Sequence, residues 1–251
     1  MGGMKDMNET IELLMQHRSI RKFKDIPLTD EQVEIIVRAA QATSTSSFVQ
    51  AYSIIGITDS EKKKKLAEIA GNQSYVEKNG YFLVFCADLH RHKQAADKEG
   101  VQIEESLESM EKFMVSLIDP ALAAQNAAIA AESMGLGICY IGGIRNDLQK
   151  VLELLKLPER VLPLFGMAIG HPAQETALKP RLPFHAVFHE NEYEDKTNEL
   201  DEYNETISAY YHERTSGKRN DRWTEQVINM LTGKQREEMM TFVQSIKLAK
   251  K

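Results

Sequence analysis

The chain has 251 residues, 42% of them hydrophobic, enough for one substantial core or two modest ones. Its 31 Lys and Arg against 37 Asp and Glu give a formal net charge of −6, which argues against a nucleic-acid partner and limits any bound anion to a small one. No apolar run approaches the ~20 residues that cross a bilayer and no signal peptide opens the chain, so a cytoplasmic protein without a membrane partner is expected.

The opening "MGGMKDM" reads as a cloning remnant or an upstream start and is set aside. Ile11, Leu14 and Met15 make one apolar face, with Asn8 or Thr10 as cap, predicting a helix that runs into His17. "LTDEQVEIIVRAA" holds a capping box, Thr29 with Gln32, followed by Val33, Ile36, Val37 and Ala40 on one helical face. Tyr52–Ile57 is a short apolar strand, and "SEKKKKLAEIAG" an exposed helix ending at Gly71, its lysines a solvated face. Tyr81–Ala87 is a second strand, and "HRHKQAADKEG" after it reads as a mobile loop. His90 and His92 lack a Cys or carboxylate at ligand spacing, so no metal is expected there.

"DPALAAQNAAIAAESMGLG" predicts a helix capped by Asp119, with Pro120 at its first position and Gly135 at its end. Its alanines allow close approach to other backbones, so it should be a central helix, packed on several sides or against a symmetry mate. Two further strands follow, Gly137–Gly142 and Leu162–Gly170. All four strands are apolar without alternation, as in a sheet covered on both faces. Cys86 and Cys139 lie inside two of them and read as buried thiols of a reducing compartment. After Pro183 the chain turns polar, with Tyr203, Ile207, Tyr210 and Tyr211 as a thin helical stripe. Residues 8–183 therefore form the expected core, and 184–251 a helical extension laid on that body or on a partner subunit. The expected fold class is α+β, a small central sheet flanked by helices.

No nucleophile elbow, H-E-x-x-H, Walker lysine or Cys-x-x-Cys is present in the sequence. What remains is a set of anion and amide donors. His17, Arg18, Ser19 and Arg21 can give a phosphate several charge-assisted hydrogen bonds. "TSTSSF", Thr43–Phe48, is rich in hydroxyls, and Gly142 and Gly143 of "GGIRN" let backbone N–H groups approach a ligand. "KPRLP" sets Lys179 and Arg181 around a proline, and Arg214, Lys218, Arg219 and Arg222 surround Trp223. Each patch alone reads as a solvated face. Together they point to a phosphate-bearing cofactor whose own ring does the chemistry.

"HRSIRKF", "ATSTSSFVQAYSIIGITD", "GNQSYV", "LAAQNAAIAAESMGLG", "CYIGGIRND", "LFGMAIGHP" and "KPRLP" resemble the nitroreductase family, and its NADPH-dependent branch of flavin reductases and oxygen-insensitive nitroreductases. The resemblance runs from about Asn8 into the tail. It implies an α+β sandwich forming an intertwined homodimer with FMN at the interface. It assigns His17, Arg18, Ser19 and Arg21 to the phosphate and pyrimidine edge of FMN, with Thr45 where the family often has serine. It further assigns Gln73 to the flavin ring, Tyr140, Ile141, Gly142 and Gly143 to the strand end passing that ring, and Lys179 and Arg181 to the phosphate. Arg214 and Arg219 match the residues that read the 2′-phosphate of NADPH, with Arg145 and Ser47 at the mouth. The implied reaction passes hydride from NADPH to bound FMN and then two electrons to free flavin, a nitroaromatic or a quinone, in ping-pong order and with no catalytic residue of the protein. A quinone, azo or small-disulfide reductase is a neighbouring reading; a flavin carrier or sensor without turnover is the alternative from another class.

Overall fold

A computed structural model describes residues 7–233 and 235–251, and the chain forms two compact units. One runs to Glu175 and takes in Glu238–Lys251; the other is Thr176–Glu237. In chain order the elements are α1 (Glu9–Met15), α2 (Asp30–Gln41), β1 (Tyr52–Ile57), α3 (Ser60–Ile69), α4 (Ser74–Glu77), β2 (Tyr81–Asp88), α5 (His90–Glu99) and α6 (Glu104–Leu107). Then come α7 (Met110–Ser133), β3 (Gly137–Ile141), α8 (Leu148–Leu155), β4 (Val161–Gly170), α9 (Phe184–Val187), α10 (Asn198–Arg214), α11 (Trp223–Thr232) and α12 (Met239–Ser245). Short 3-10 turns occupy Ser46–Phe48 and Gly142–Asp147.

The first unit is built on a four-stranded sheet of order β1-β2-β4-β3. Every neighbour is antiparallel: Tyr52 pairs with Ala87, Tyr81 with Ile169, and Gly137 with Gly170. Strand alternation sorts the apolar side chains onto two faces, and both are covered. Leu83, Phe85, Ile138, Met167 and Ile169 pack with Ile36 and Ala40 of α2 and the alanines of α7. Phe82, Val84, Cys86, Cys139, Ile141 and Ala168 pack with Leu66 and Ala67 of α3, Val76 of α4 and Val151 of α8. The four strands stand where the apolar runs placed them.

The helix starts follow the sequence in two cases and depart from it in a third. Asn8 caps α1 and the Thr29–Gln32 box caps α2, with both reciprocal bonds formed. The alanine-rich helix, by contrast, does not start at Asp119. α7 begins at Met110, where Ser109 caps it by accepting from the Lys112 N–H at 3.3 Å. Asp119 and Pro120 therefore lie inside α7. The missing Pro120 N–H costs the helix one bond, but the face of Val115, Ala123, Ala124 and Ala127 is buried against the core and carries the helix through.

At 24 residues α7 is also long and apolar enough to cross a membrane by length and composition, contrary to the expectation that no segment is. Its buried alanines are those of a core helix. "HRHKQAADKEG" is likewise no loop but α5, closed by Gly100 in the left-handed region at φ 67°. Its Ala96 is buried, and His92 is half-buried with Nε2 2.6 Å from the Val49 carbonyl oxygen.

The change of composition falls at Pro183, whereas the second unit starts at Thr176 and the closing residues return to the first. Val243, Ile246, Leu248 and Ala249 fill a third apolar cluster with Ala87, Leu107, Val115 and Leu162. Backbone bonds fix them there: Arg160 N–H donates to the Ile246 carbonyl at 2.9 Å and Met110 N–H to that of Lys251 at 2.8 Å. Within the second unit, Tyr203, Ile207 and Tyr211 of α10 pack with Leu182, Tyr210 and Trp223, so the thin stripe is a small core of its own.

Candidate functional site

The donor segment His17–Arg21 follows α1 and runs beside β3. Ile20 is buried, its N–H donating to the Ile138 carbonyl at 2.9 Å, and a Cβ on Gly137 would come within 2.6 Å of it. Glycine at 137 therefore lets the segment lie close to the strand. The Arg21 charge lies near the Cys139 thiol and the Tyr75 hydroxyl, and the thiol itself donates to the Tyr140 carbonyl at 3.6 Å. His17 is tied to α7, with Nδ1 2.7 Å from Glu132 Oε1 and the two side chains 27% and 14% exposed. Arg18 and Arg21 remain exposed.

Gln73 stands at the N-cap position of α4, without a side-chain capping bond, at the end of a turn in which Gly71 and Asn72 have positive φ. That turn is joined to the 3-10 turn after β3: Asn146 Nδ2 donates to the Ile69 carbonyl at 3.1 Å, and a Cβ on Gly143 would sit 2.8 Å from the Ala70 carbonyl oxygen. The turn carrying Gln73 and the glycines of "GGIRN" are thus neighbours. Tyr140 leaves β3 toward α7, its hydroxyl donating to the Ala124 carbonyl at 3.0 Å, and Ile141 is buried on the opposite face of the sheet. Arg145 turns onto the Leu164 carbonyl.

Thr45 and Ser47 belong to a turn held by Asp119, the residue whose sequence context resembles a helix cap. Asp119 is fully buried and accepts from the N–H groups of Ser46 at 3.1 Å and Ala51 at 2.9 Å. Between them Ser47, Phe48 and Gln50 take positive φ. Thr45 Oγ1 is buried and has no hydrogen-bond partner among the described residues. A buried hydroxyl without a partner is costly, and a ligand oxygen or nitrogen would relieve it. Together with the cations at 17–21, this donor set fits a phosphorylated, hydrogen-bonding cofactor such as FMN.

Burial governs the titrating groups here. It pushes the Cys139 thiol up, against the charge of Arg21, and pushes the Tyr75 hydroxyl up with Cys139 adding to the effect. It also raises the Tyr140 hydroxyl well above its usual range, with the Glu132 charge second. All three stay neutral near pH 7, so the site offers cations and neutral donors, and none of these three is an acid or base poised for proton transfer.

In the second unit the remaining predicted residues gather on α10. Lys179 Nζ donates to the Tyr211 hydroxyl at 3.0 Å, and Tyr203 donates to the Pro180 carbonyl at 3.0 Å, which lays "KPRLP" along the helix. The Arg181 charge lies near Tyr203. Arg214 donates to the Tyr210 hydroxyl at 2.6 Å, and the Arg219 guanidinium stands 4.4 Å from the Tyr211 ring centroid. Arg222 is committed to Glu225 at the start of α11. Glu132, Asp119, Tyr75 and Tyr211 lie against the predicted residues or their neighbours, and the sequence does not announce them, because each meets a partner distant in the chain or reads only as core.

Two family models match the chain: the nitroreductase family over residues 14–171, and the C-terminal domain of that family over 179–251. The chain is 58% identical over 241 residues to an FMN reductase (NADPH) of Bacillus subtilis, covering 94% of this chain and 97% of that protein. It is 46% identical over 246 residues to an NADPH-flavin oxidoreductase of Vibrio harveyi, covering 98% and 100%. Among solved structures, the NfrA1 nitroreductase of B. subtilis superposes with a TM-score of 0.95 at 57% identity, covering 96% of this chain and 100% of that one. The NADPH:FMN oxidoreductase of V. harveyi complexed with NAD+ does so with 0.89 at 43%, covering 97% and 100%. The chain belongs to the nitroreductase family.

Proposed function

We propose that this protein is an NADPH-dependent FMN reductase and nitroreductase. The observation that supports the reading is the donor segment His17–Arg21, fixed to β3 through the Ile20 N–H and to α7 through His17, with the exposed Arg21 charge near Tyr75 and Cys139. The identity to reductases of that activity supports it. When bound, FMN supplies hydride acceptance from NADPH and two-electron delivery to a flavin, nitroaromatic or quinone. The chain's own residues bind and orient. His17, Arg18, Ser19 and Arg21 hold phosphate and pyrimidine edge, Gln73 and the 140–143 strand end hold the ring, and Thr45 donates its unpaired hydroxyl. Lys179 and Arg181 are assigned to the phosphate, and Arg214 and Arg219 to the 2′-phosphate of NADPH, by the family pattern. Residues 8–183 form the FMN-binding core in this reading, with 184–251 as the extension that reads the nucleotide. The neutral Tyr75, Cys139 and Tyr140 offer no poised acid or base of their own, which agrees with ping-pong turnover on one cofactor face.

The same reading makes the protein a cytoplasmic homodimer. Two free, buried cysteines fit a reducing compartment. The dimer is supported by the exposed apolar side chains of α7, Met110, Met114, Ile118 and Leu122, and by those of α1, Ile11, Leu14 and Met15. The test is an anaerobic visible spectrum of protein reconstituted with FMN, before and after one equivalent of NADPH and then NADH. Bleaching by NADPH, with a slower response to NADH, is expected. Bound flavin that neither nucleotide bleaches would favour a carrier, and failure to bind FMN would overturn the reading.

A further inference from the structure

Tyr211 touches two groups that the function keeps apart. Its hydroxyl accepts from Lys179 Nζ at 3.0 Å and lies 3.1 Å from Gln226 Oε1. An ammonium can only donate, so the hydroxyl proton is left for Gln226 and the direction of the chain is fixed. The ring carries Arg219, 4.4 Å from the centroid, and Lys179 Nζ lies 5.3 Å from the same centroid. The backbone of the same residue takes part as well: Thr215 Oγ1 donates to the Tyr211 carbonyl at 2.7 Å and accepts from the Arg219 N–H at 2.9 Å. Asp221 accepts from one edge of the guanidinium, with Oδ2 2.7 Å from Nε and 2.5 Å from Nη2. Tyr211 itself is only 9% exposed and sits in the small core with Tyr203 and Ile207, so it cannot follow the cations if they move.

We propose that Tyr211 is a positioning residue for both anion-reading groups of the second unit, its hydroxyl setting Lys179 for the FMN phosphate and its ring setting Arg219 for the 2′-phosphate of NADPH. This rests on the function proposed above. Lysine and arginine have long side chains whose ordering opposes binding, and a rigid aromatic that orders them beforehand lowers that cost. The hydroxyl can be removed without the ring, which separates the hydrogen bond to Lys179 from the ring contacts of both cations.

The test measures two affinities on the full chain: FMN for the apoprotein, by quenching of flavin fluorescence, and 2′,5′-ADP for the holoprotein, by calorimetry. Wild-type protein that binds neither would refute the function; wild-type binding of both isolates the question of Tyr211. Tyr211→Phe removes the bond to Lys179 and keeps the ring. It should raise the FMN Kd about tenfold and leave the 2′,5′-ADP Kd within about twofold. Tyr211→Leu should weaken 2′,5′-ADP as well, by about threefold or more. In a Lys179→Met background Tyr211→Phe should have no further effect on FMN, since the hydroxyl then has no ammonium to hold. An unchanged FMN Kd in Tyr211→Phe, or an undiminished effect in the Lys179→Met background, would overturn the proposal. Both of these arms keep the aromatic core intact and stand even if Tyr211→Leu does not fold.

Discussion

Glu132 fixes His17 from 115 positions further along the chain. The imidazole is half-buried, and an acceptor on Nδ1 decides which way the ring faces. Glu132→Ala should therefore raise the FMN Kd about tenfold with little change in melting temperature, measured by fluorescence titration and thermal melting. Gly143 shows a different constraint. A methyl group there would meet the Ala70 carbonyl oxygen at 2.8 Å and its Cα at 3.0 Å, both backbone atoms that cannot swing away. Gly143→Ala should cost about 1–3 kcal/mol in chemical denaturation and weaken FMN by shifting the turn that carries Gln73. The donor segment at 17–21 was legible because its charge is written in consecutive residues. Glu132 was not, because a carboxylate near the end of an alanine-rich helix reads as a solvated one until the fold brings His17 to it.

At the scale of elements, local signals were legible and long-range ones were not. The Thr29–Gln32 box is complete within four residues, so the sequence alone carries it. Asp119–Pro120 imitates a helix start equally well, yet Asp119 spends both carboxylate oxygens on the turn at Ser46 and Ala51, about 70 residues earlier. Asp119→Asn puts an amide N–H against one of those donors. It should lower stability by about 2 kcal/mol and loosen residues 45–51, seen as faster amide exchange there. Asp147 supplies a pH-dependent case. It caps α8 by accepting from the Lys150 N–H at 3.1 Å, and the Lys150 ammonium, 2.8 Å away, holds its carboxyl below the usual range. A depressed carboxyl stabilises the fold above its ordinary value of 3.8 and loses that contribution as pH falls through the lower folded value. Asp147→Asn should therefore flatten the acid limb of a stability-against-pH curve. Stability near neutrality should change little, because water screens so exposed a pair and asparagine still caps the helix.

For the whole molecule the decisive feature is the apolar surface that α7 leaves uncovered. Its alanine face is buried, while Met110, Met114, Ile118 and Leu122, spaced by four, form an exposed stripe along a helix about 36 Å long. The stripe itself covers about 18 Å of that helix, and contiguous exposed apolar patches mark contact surfaces. In a twofold dimer each change on the stripe enters the interface twice, once from each copy. Ile118→Glu would then place two carboxylates in an apolar contact, where an unpaired charge is strongly unfavourable, while the buried alanine face is left unchanged. Sedimentation should show dimer for the wild type and monomer for Ile118→Glu, with a circular dichroism spectrum still helical. FMN should be lost from the variant on dialysis if the cofactor sits where two copies meet. A variant that remains dimeric would place the interface elsewhere, and a monomer that keeps its FMN would show that one chain suffices to hold the flavin.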